Sequence, residues 1–371
     1  MKKILAFTKK NAVVLIAALC AIVTSFIITP DKEYINYFDF KTLTCLFCVL
    51  AVVCALRNIR FFYTIAKAIV RLFKNTRLAI LALVYITFIG SMLIANDMAL
   101  LTFLPLGYFV LHTVNKKKYL AFTFIMQNIA ANLGGMLTPF GNPQNLFIYS
   151  EFNINDLEFM SIMAPPFLVA VTLITLCCIV FVKKEPIEIQ EKAAKLPIGR
   201  TIIYLLLFAF SIIIVFRVIP YFIGLIVIPI ALLILDRKAL LSVDYGLLLT
   251  FVFFFIFSGN MSRMDIVRDF FSALLEKNTL VVSALSCQFI SNVPSAVLLS
   301  KFTDNYKELL LGVNIGGVGT LISSLASLIT FREYVKNNPD KVGYYMVMFA
   351  ALNVVFLALL TGFALLWKFY F

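Results

Sequence analysis

The chain has 371 residues, of which 62% are hydrophobic and only 14% are charged, and its mean hydropathy is +0.98. Soluble domains carry roughly 45–50% apolar and about 25% charged residues. The composition therefore excludes a soluble enzyme, a nucleic-acid-binding domain and a disordered protein, and it predicts an all-α protein that crosses a membrane several times. The net charge of +13 fits this, because Lys and Arg lie between the apolar runs, where they orient membrane helices.

Eleven apolar runs can be placed along the chain at about 20 residues per crossing. The first run is long and no small-residue cleavage site follows it, so we expect an uncleaved N-terminal helix. Nine runs are predicted to cross the membrane: 11–29, 40–56, 119–150, 160–182, 201–216, 219–235, 245–262, 308–331 and 344–367.

The other two runs have lengths that do not suit a single crossing. The run 78–113 has Asn96 near its centre, and the run 278–302 has Asn292 near its centre. Each is predicted to be a re-entrant hairpin of two short helices with a polar tip, a backbone that is tolerated only inside protein or beside a cavity. Amphipathic stretches at 58–75 and 265–276 precede the hairpins and are predicted to be interfacial connecting arms.

The basic residues decide the predicted orientation. With a cytoplasmic N-terminus and hairpins that return to their starting sides, 23 of the 32 Lys and Arg residues lie in cytoplasmic loops. The positive-inside rule favours this arrangement, which makes the C-terminus external. The hydrophilic stretch 183–200 is then a cytoplasmic linker between the halves 1–182 and 201–371.

The two halves share a sequence pattern. Asn132–Thr138 and Asn314–Thr320 both read N-x-G-G-x-x-T, and each follows a predicted hairpin within an apolar run. In the predicted topology the first hairpin opens to the cytoplasm and the second opens to the outside. The halves are therefore predicted to be inverted repeats, which is the construction of many secondary transporters.

Glycine and proline residues must break the helices of 119–150 and 308–331, since each costs free energy in a helix interior. The breaks free backbone polar groups near oxygen-rich side chains, an arrangement that suits ions such as sodium. Close helix packing is the structural alternative, but polar groups in lipid are costly unless they are used. The oxygen-rich set is Asn132, Thr138, Asn142, Gln144, Asn145, Asn314, Thr320, Ser323, Ser324 and Ser327.

Asp97 is the only acidic residue deep within an apolar run. A bound cation, a proton or helix N-termini can neutralise it, and it can also serve simply as a helix N-cap. Because the predicted site contains no Lys or Arg, an anionic substrate would be held by helix N-termini, amide and hydroxyl groups, and co-bound cations.

Four stretches resemble the ion transporter superfamily, which includes citrate-transporter-like permeases, divalent anion:sodium symporters and arsenite-efflux permeases. They are Asn96–Leu106, Asn132–Asn145, Ser291–Ala296 and Asn314–Ser327. The resemblance implies an elevator-type homodimer whose moving domain contains both hairpins and both broken helices. Dicarboxylate members carry Ser-Asn-Thr at each tip, whereas the tips here read Ala-Asn-Asp and Ser-Asn-Val, and Asp97 is more similar to the arsenite-efflux group.

The resemblance and the residues together predict a secondary active transporter of a small anion across the cytoplasmic membrane, coupled to sodium or protons. The anion is a di- or tricarboxylate or an inorganic oxyanion. An arsenite or oxyanion efflux permease and an ion channel are the alternatives. An enzyme is not expected, because the chain has one histidine and no clustered metal ligands. The expected partners are the bilayer, the substrate and a second copy of the chain, with no nucleic acid. No cofactor except the coupling cation is expected.

The candidate site residues fall into two overlapping sets. The predicted substrate-binding residues are Asn96, Asp97, Asn142, Asn145, Ser291, Asn292, Ser323 and Ser324. The predicted ion-binding residues are Asn96, Asp97, Asn132, Thr138, Gly141, Asn292, Asn314 and Thr320. The two hairpin tips and the two helix breaks are the candidate sodium sites.

Overall fold

The computed structural model describes residues 12–187 and 196–368, and these form an all-helical protein. The described residues contain seventeen α-helices, numbered here in chain order. They are α1 Ala12–Ile27, α2 Phe40–Asn58, α3 Phe61–Val70, α4 Thr76–Ile94, α5 Asn96–Thr113, α6 Leu120–Gly134, α7 Pro143–Glu151, α8 Asp156–Phe181, α9 Ile198–Val215, α10 Tyr221–Leu235, α11 Arg237–Leu241, α12 Tyr245–Ser262, α13 Asp265–Ile290, α14 Asn292–Leu299, α15 Tyr306–Ile315, α16 Leu325–Asn337 and α17 Val342–Trp367.

Seven of the described helices, taken with their flanking short turns, are long and apolar enough to cross a membrane. They are α2, α4, α6, α8, α9, α12 and α17. The predicted crossings 11–29 and 219–235 form the shorter apolar helices α1 and α10. The prediction of a polytopic membrane protein is confirmed.

Both apolar runs with polar centres fold as pairs of helices. The first hairpin is α4 and α5, and the second is the C-terminal part of α13 together with α14. A single residue joins each pair, Ala95 in the first hairpin and Ser291 in the second. Their torsion angles, φ 63° and ψ 150° at Ala95 and φ 74° and ψ 158° at Ser291, fall in a region that essentially only glycine occupies without strain.

The first hairpin differs from its prediction in length. Two short helices were expected, but α4 has 19 residues and α5 has 18. Because each residue adds about 1.5 Å to a helix, α4 alone is long enough to cross a membrane. The second hairpin does have short limbs. The backbone of Asn278 is non-helical and separates its first limb from the connecting arm, and α14 has eight residues.

The predicted helix breaks are both present. In the first half α6 ends at Gly134 and α7 begins at Pro143, and in the second half α15 ends at Ile315 and α16 begins at Leu325. The connecting arms are also helical, as α3 and as the part of α13 before Asn278.

The start of the predicted linker packs against the first half. The backbone carbonyl of Glu185 accepts a hydrogen bond from the Thr76 N–H at 2.9 Å. Its carboxylate forms ion pairs with Lys116 and, at 2.6 Å, with Lys118. Hydrogen bonds from these two ammonium groups lower the pKa of Glu185 to about 2. Positions 188–195 of the linker lie outside the described residues.

The helices pack in two groups. The scaffold group contains α1 packed on α12, and α2 packed on α9 and α10. The hairpin group contains both hairpins, the broken helices α6–α7 and α15–α16, and the long helices α8 and α17. The groups touch where α2 meets α4, α5 and α7 and where α12 meets α13 and α14.

Glycines allow each broken helix to approach the first limb of its own hairpin. A Cβ atom at Gly134 would lie 2.2 Å from the Phe88 carbonyl oxygen, and one at Gly316 would lie 2.8 Å from the Ala284 carbonyl oxygen. Phe88 and Ala284 each lie seven residues before the joint of their hairpin. The motif glycines therefore make the same backbone contact in both halves.

Replacing Gly134 by alanine is expected to lower the free energy of unfolding by about 1–3 kcal/mol, because the methyl group overlaps a backbone carbonyl that cannot move aside. Gly362→Ala in α17 is the matched control. A Cβ there meets no atom within 4 Å, so it should raise helix stability by up to about 1 kcal/mol. Denaturant unfolding of both variants in detergent measures the difference, and equal stabilities would contradict the close contact.

Candidate functional site: a cavity between the hairpin tips

The two hairpin tips, although almost 200 residues apart in sequence, line one cavity of about 420 Å³. Apolar side chains of α1, α12 and the second hairpin form most of its wall. The polar residues that line this tip cavity are Asn96, Asp97, Gln144, Asp244, Thr250, Ser291 and Asn292. Among the described residues that line it there is no Lys or Arg.

Four helices begin at the tip cavity. Its lining includes Asp97 in the first turn of α5, Pro143 at the start of α7, Val293 in the first turn of α14 and Leu325 at the start of α16. The first N–H groups of a helix have no partner within the helix, and the N-terminus carries about half a positive charge. Convergence of four such ends creates a positive potential without any basic side chain.

The tip asparagines have equivalent geometry. The Oδ1 of Asn96 accepts the Asp97 N–H, and the Oδ1 of Asn292 accepts the Val293 N–H, each at 2.9 Å. The Nδ2 of Asn96 donates to the Oδ1 of Asn132 in α6 at 3.2 Å. A Cβ atom at Gly317 would lie 3.1 Å from Asn292 Nδ2 and 3.5 Å from Asn132 Oδ1. Each tip asparagine therefore lies against the broken helix of its own half, and Asn132 of the first half lies close to Gly317 of the second.

A second set of contacts joins the two breaks. Asn314 donates from Nδ2 to the Oδ1 of Asn145 at 2.6 Å. Its own Oδ1 accepts from Asn142 Nδ2 and Gln144 Nε2, each at 3.4 Å. These four side chains are buried, and they connect α7 to the end of α15.

Several predicted site residues bind the backbone of the breaks rather than facing the cavity. Asn145 donates from Nδ2 to three carbonyl oxygens of the first break, at 3.1–3.2 Å. Ser323 donates to the Gly317 carbonyl oxygen at 2.9 Å, and Ser324 caps the start of α16. Gly141 permits the chain to turn, since a Cβ there would lie 2.3 Å from the Gly135 carbonyl oxygen.

The hydroxyl groups of the two motif threonines, Thr138 and Thr320, form hydrogen bonds with the backbone of the hairpins. The hydroxyl of Thr138 donates to the Met92 carbonyl oxygen at 2.9 Å, and that of Thr320 donates to the Gln288 carbonyl oxygen at 3.0 Å. Each acceptor lies three residues before the joint of its hairpin. Neither threonine is among the residues that line the tip cavity, and the ion-binding role of the two threonines stays a prediction.

Sequence reasoning missed two residues near the site. Gln288 donates from Nε2 to the Gly316 carbonyl oxygen and accepts the Thr320 N–H at Oε1, both at 2.9 Å. Asp244 precedes α12, accepts the Leu247 N–H, and lines the tip cavity with Asp97. Gln288 has no motif signal, and Asp244 lies in a polar loop, where a carboxylate is ordinary.

Three buried oxygen atoms of the site accept no hydrogen bond from the described residues. They are Asp97 Oδ1, Asn142 Oδ1 and Gln144 Oε1. Buried acceptors are nearly always paired in proteins, so these oxygens are available to a ligand. One carboxylate and two amide oxygens suit a hard monovalent cation, and the carboxylate also suits a proton. Within the described residues there is no group of three His, Cys, Asp or Glu side chains that would hold a transition metal.

Comparison with known proteins agrees with this arrangement. The profile of the family described as citrate transporter matches residues 4–307. The chain belongs to the citrate transporter family. It is 33% identical over 340 residues, 91% of this chain and 92% of the relative, to an uncharacterized transporter of Methanocaldococcus jannaschii. It is 29% identical over 288 residues, 73% of this chain and 74% of the relative, to the inner membrane protein YbiR of Escherichia coli.

The resemblance drawn from the tip and break motifs is confirmed, and the protein is a membrane transporter.

Substitution of two glutamines separates structural from ligand-binding roles. Gln288→Leu leaves the Gly316 carbonyl and the Thr320 N–H without partners, so it should lower the free energy of unfolding by about 1–3 kcal/mol. Gln144→Leu removes one 3.4 Å contact and one unpartnered oxygen, so it should change stability much less while it weakens transport. Thermal unfolding and uptake are measured on both. Equal loss of stability would show that Gln144 is structural.

Proposed function

We propose that this transporter moves a small anion together with a cation or proton through the tip cavity. The observation that carries the proposal is that four helix N-termini line the same small space between the two hairpin tips as Asp97 and Gln144, each of which has a side-chain oxygen with no partner among the described residues. Helix N-termini attract anions, and the unpartnered oxygens attract cations. The di- or tricarboxylates and the inorganic oxyanions are the substrate classes that fit this combination.

The anion is held without a basic side chain. Its negative groups lie in the positive potential of the helix N-termini and accept hydrogen bonds from the side-chain amide groups of the tip asparagines. A co-bound cation at Asp97, Asn142 and Gln144 offsets the repulsion between substrate and carboxylate, because opposite charges at short range favour each other in a medium of low dielectric. The substrate and the cation therefore bind together better than either binds alone, which is the basis of coupling.

The proposed movement is of the elevator type, with the scaffold group fixed and the hairpin group moving. Two features support it. One side of the tip cavity comes from α1 and α12 of the scaffold group, whereas the polar tips belong to the hairpin group. The halves also share the same tip geometry and the same motif-glycine and threonine contacts, which favours inverted repeats that exchange conformations. We further propose a homodimer with a cytoplasmic N-terminus.

Uptake assays in proteoliposomes test the proposal. The purified protein is supplied with radiolabelled succinate, citrate, sulfate or arsenite under an imposed sodium or proton gradient, or under neither. We expect saturable accumulation of one anion class that requires one of the gradients. Accumulation of arsenite alone would instead favour an oxyanion efflux permease, for which the carboxylate at the first tip is the supporting feature. Fast conductance without saturation would identify a channel and overturn the proposal.

Asp97→Asn keeps the shape of the tip but removes the charge that we assign to coupling. This variant is expected to exchange substrate across the membrane while losing gradient-driven accumulation, because the cation or proton no longer binds with the anion. Asp244→Asn is the control, since it lines the same cavity and asparagine is an equally good helix N-cap. Accumulation by Asp97→Asn equal to that of the parent would show that Asp97 does not carry the coupling.

Cross-linking tests the relative movement of the two groups. Arg217, between α9 and α10, donates to Asn153 Oδ1 at 2.6 Å and lies over the ring of Tyr149, so it joins the scaffold group to the end of α7. A short thiol cross-linker between cysteines at positions 153 and 217 should abolish transport. Between positions 31 and 263, which form a similar contact within the scaffold group, it should not. Transport that survives the first cross-link contradicts the elevator movement.

A further inference from the structure

A second cavity, of about 360 Å³, lies where α2, α3 and α5 meet. It shares no lining residue with the tip cavity. Its lining consists of two arginines, two aromatic residues and three residues of the first hairpin. These are Arg57, Arg60, Phe62, Tyr63, Leu101, Thr102 and Pro105.

Neither arginine of this cavity forms an ion pair with a described residue. Within the part of the chain that the structure describes, no carboxylate lies within 4 Å of either guanidinium group. Arg57 is partly buried, and its contacts are with sulfur atoms: Met98 Sδ at 3.4 Å and Cys54 Sγ at 3.9 Å. Sulfur is a weak acceptor, so most of the five N–H donors of this guanidinium have no good partner.

Both arginines line one cavity because the chain turns sharply at Arg60, where the backbone conformation is strained. Arg60 adopts a left-handed conformation, with φ 56° and ψ 30°, between the end of α2 and the start of α3. Such a conformation is unfavourable for a residue with a Cβ atom, and it is retained where the surroundings require it. This turn is what allows residues of α2, of the turn itself and of α3 to line one cavity.

We propose that this cavity binds an oxyanion group, a carboxylate or a phosphate, between the guanidinium groups of Arg57 and Arg60. The planar guanidinium group forms paired hydrogen bonds with carboxylate and phosphate oxygens. The aromatic rings of Phe62 and Tyr63 and the side chain of Leu101 provide an apolar wall for the remainder of the ligand. The site is distinct from the one proposed for the transported anion.

Two sources supply such a group. One is a soluble anion, and the other is the head group of an anionic lipid, since basic pockets between membrane helices on the cytoplasmic side bind such head groups. The predicted topology places the end of α2 and the arm α3 on that side. In both cases the ligand contacts α2 of the scaffold group and α5 of the hairpin group, so its binding depends on how the two groups are placed.

The full-length protein tests this inference with two probes. Inorganic phosphate is titrated in detergent while the thermal unfolding midpoint is followed. In nanodiscs of zwitterionic lipid with or without phosphatidylglycerol, the retained lipid is counted by native mass spectrometry. We expect saturable binding of at least one probe, weakened by about tenfold or more in the double variant Arg57→Gln/Arg60→Gln, since a charge-assisted hydrogen bond is lost at each position.

The controls distinguish this cavity from general surface charge and from the tip cavity. Arg71→Gln removes an exposed arginine at the end of α3, outside the cavity, and should bind as the parent does. Arg60→Gln alone breaks no ion pair with a described residue and should also weaken binding. It keeps the test decisive if the double variant misfolds. The tip cavity is intact in all of these variants. Unchanged binding in the double variant, or an equal loss in Arg71→Gln, would overturn the proposal.

Discussion

The need to satisfy backbone polar groups where helices break inside apolar segments is the constraint on which the rest of this structure depends. An unpaired N–H or carbonyl group away from water costs several kcal/mol. Asn145 offsets this cost in the first break by donating to three carbonyl oxygens, and Gln288 does so in the second by bonding to Gly316 and Thr320. Gln288 thereby fixes the second break against its hairpin, and Asn145 fixes the first break against the start of α7.

The same constraint explains a division of roles among chemically similar residues. The amide N–H groups of Asn145 donate to carbonyl oxygens of the first break, and its Oδ1 accepts a hydrogen bond from Asn314. Asn142 and Gln144 lie close to it in sequence, and each has a buried oxygen with no hydrogen-bond partner among the residues that the structure describes. In the proposed function, these two amide oxygens are the ones available to the coupling cation.

The two halves are similar in geometry and different in charge. The strained joints at Ala95 and Ser291, the asparagine after each joint and the glycine contacts with the first limb are alike in both halves. The residue after the asparagine is Asp97 in one half and Val293 in the other. A site built from two similar frames therefore carries a carboxylate in only one of them. This asymmetry suits a transporter in which one tip binds the coupling ion and both tips bind the anion.

The family profile that matches this chain covers both hairpins but ends at residue 307. The second helix break lies beyond that point, and there the structure supplies the connection. Asn314 bonds to Asn145, and Ser327 bonds to Asn128. These contacts between residues more than 160 positions apart place the C-terminal part of the chain in the same site.

The sequence by itself determined the features that depend on local chemistry. Hydropathy located the apolar runs, glycine and proline located the breaks near Gly134 and Gly316, and the polar pair at Asn96 located the first tip, because each reflects the cost of a residue in a helix or in lipid. Only the tertiary structure decided which polar atoms face the cavity. Thr138 and Thr320 turn to the hairpin backbone, and Asp244 joins Asp97 from another group of helices. The direction of a side chain and its partners depend on packing between distant segments, which residue type and local spacing do not specify.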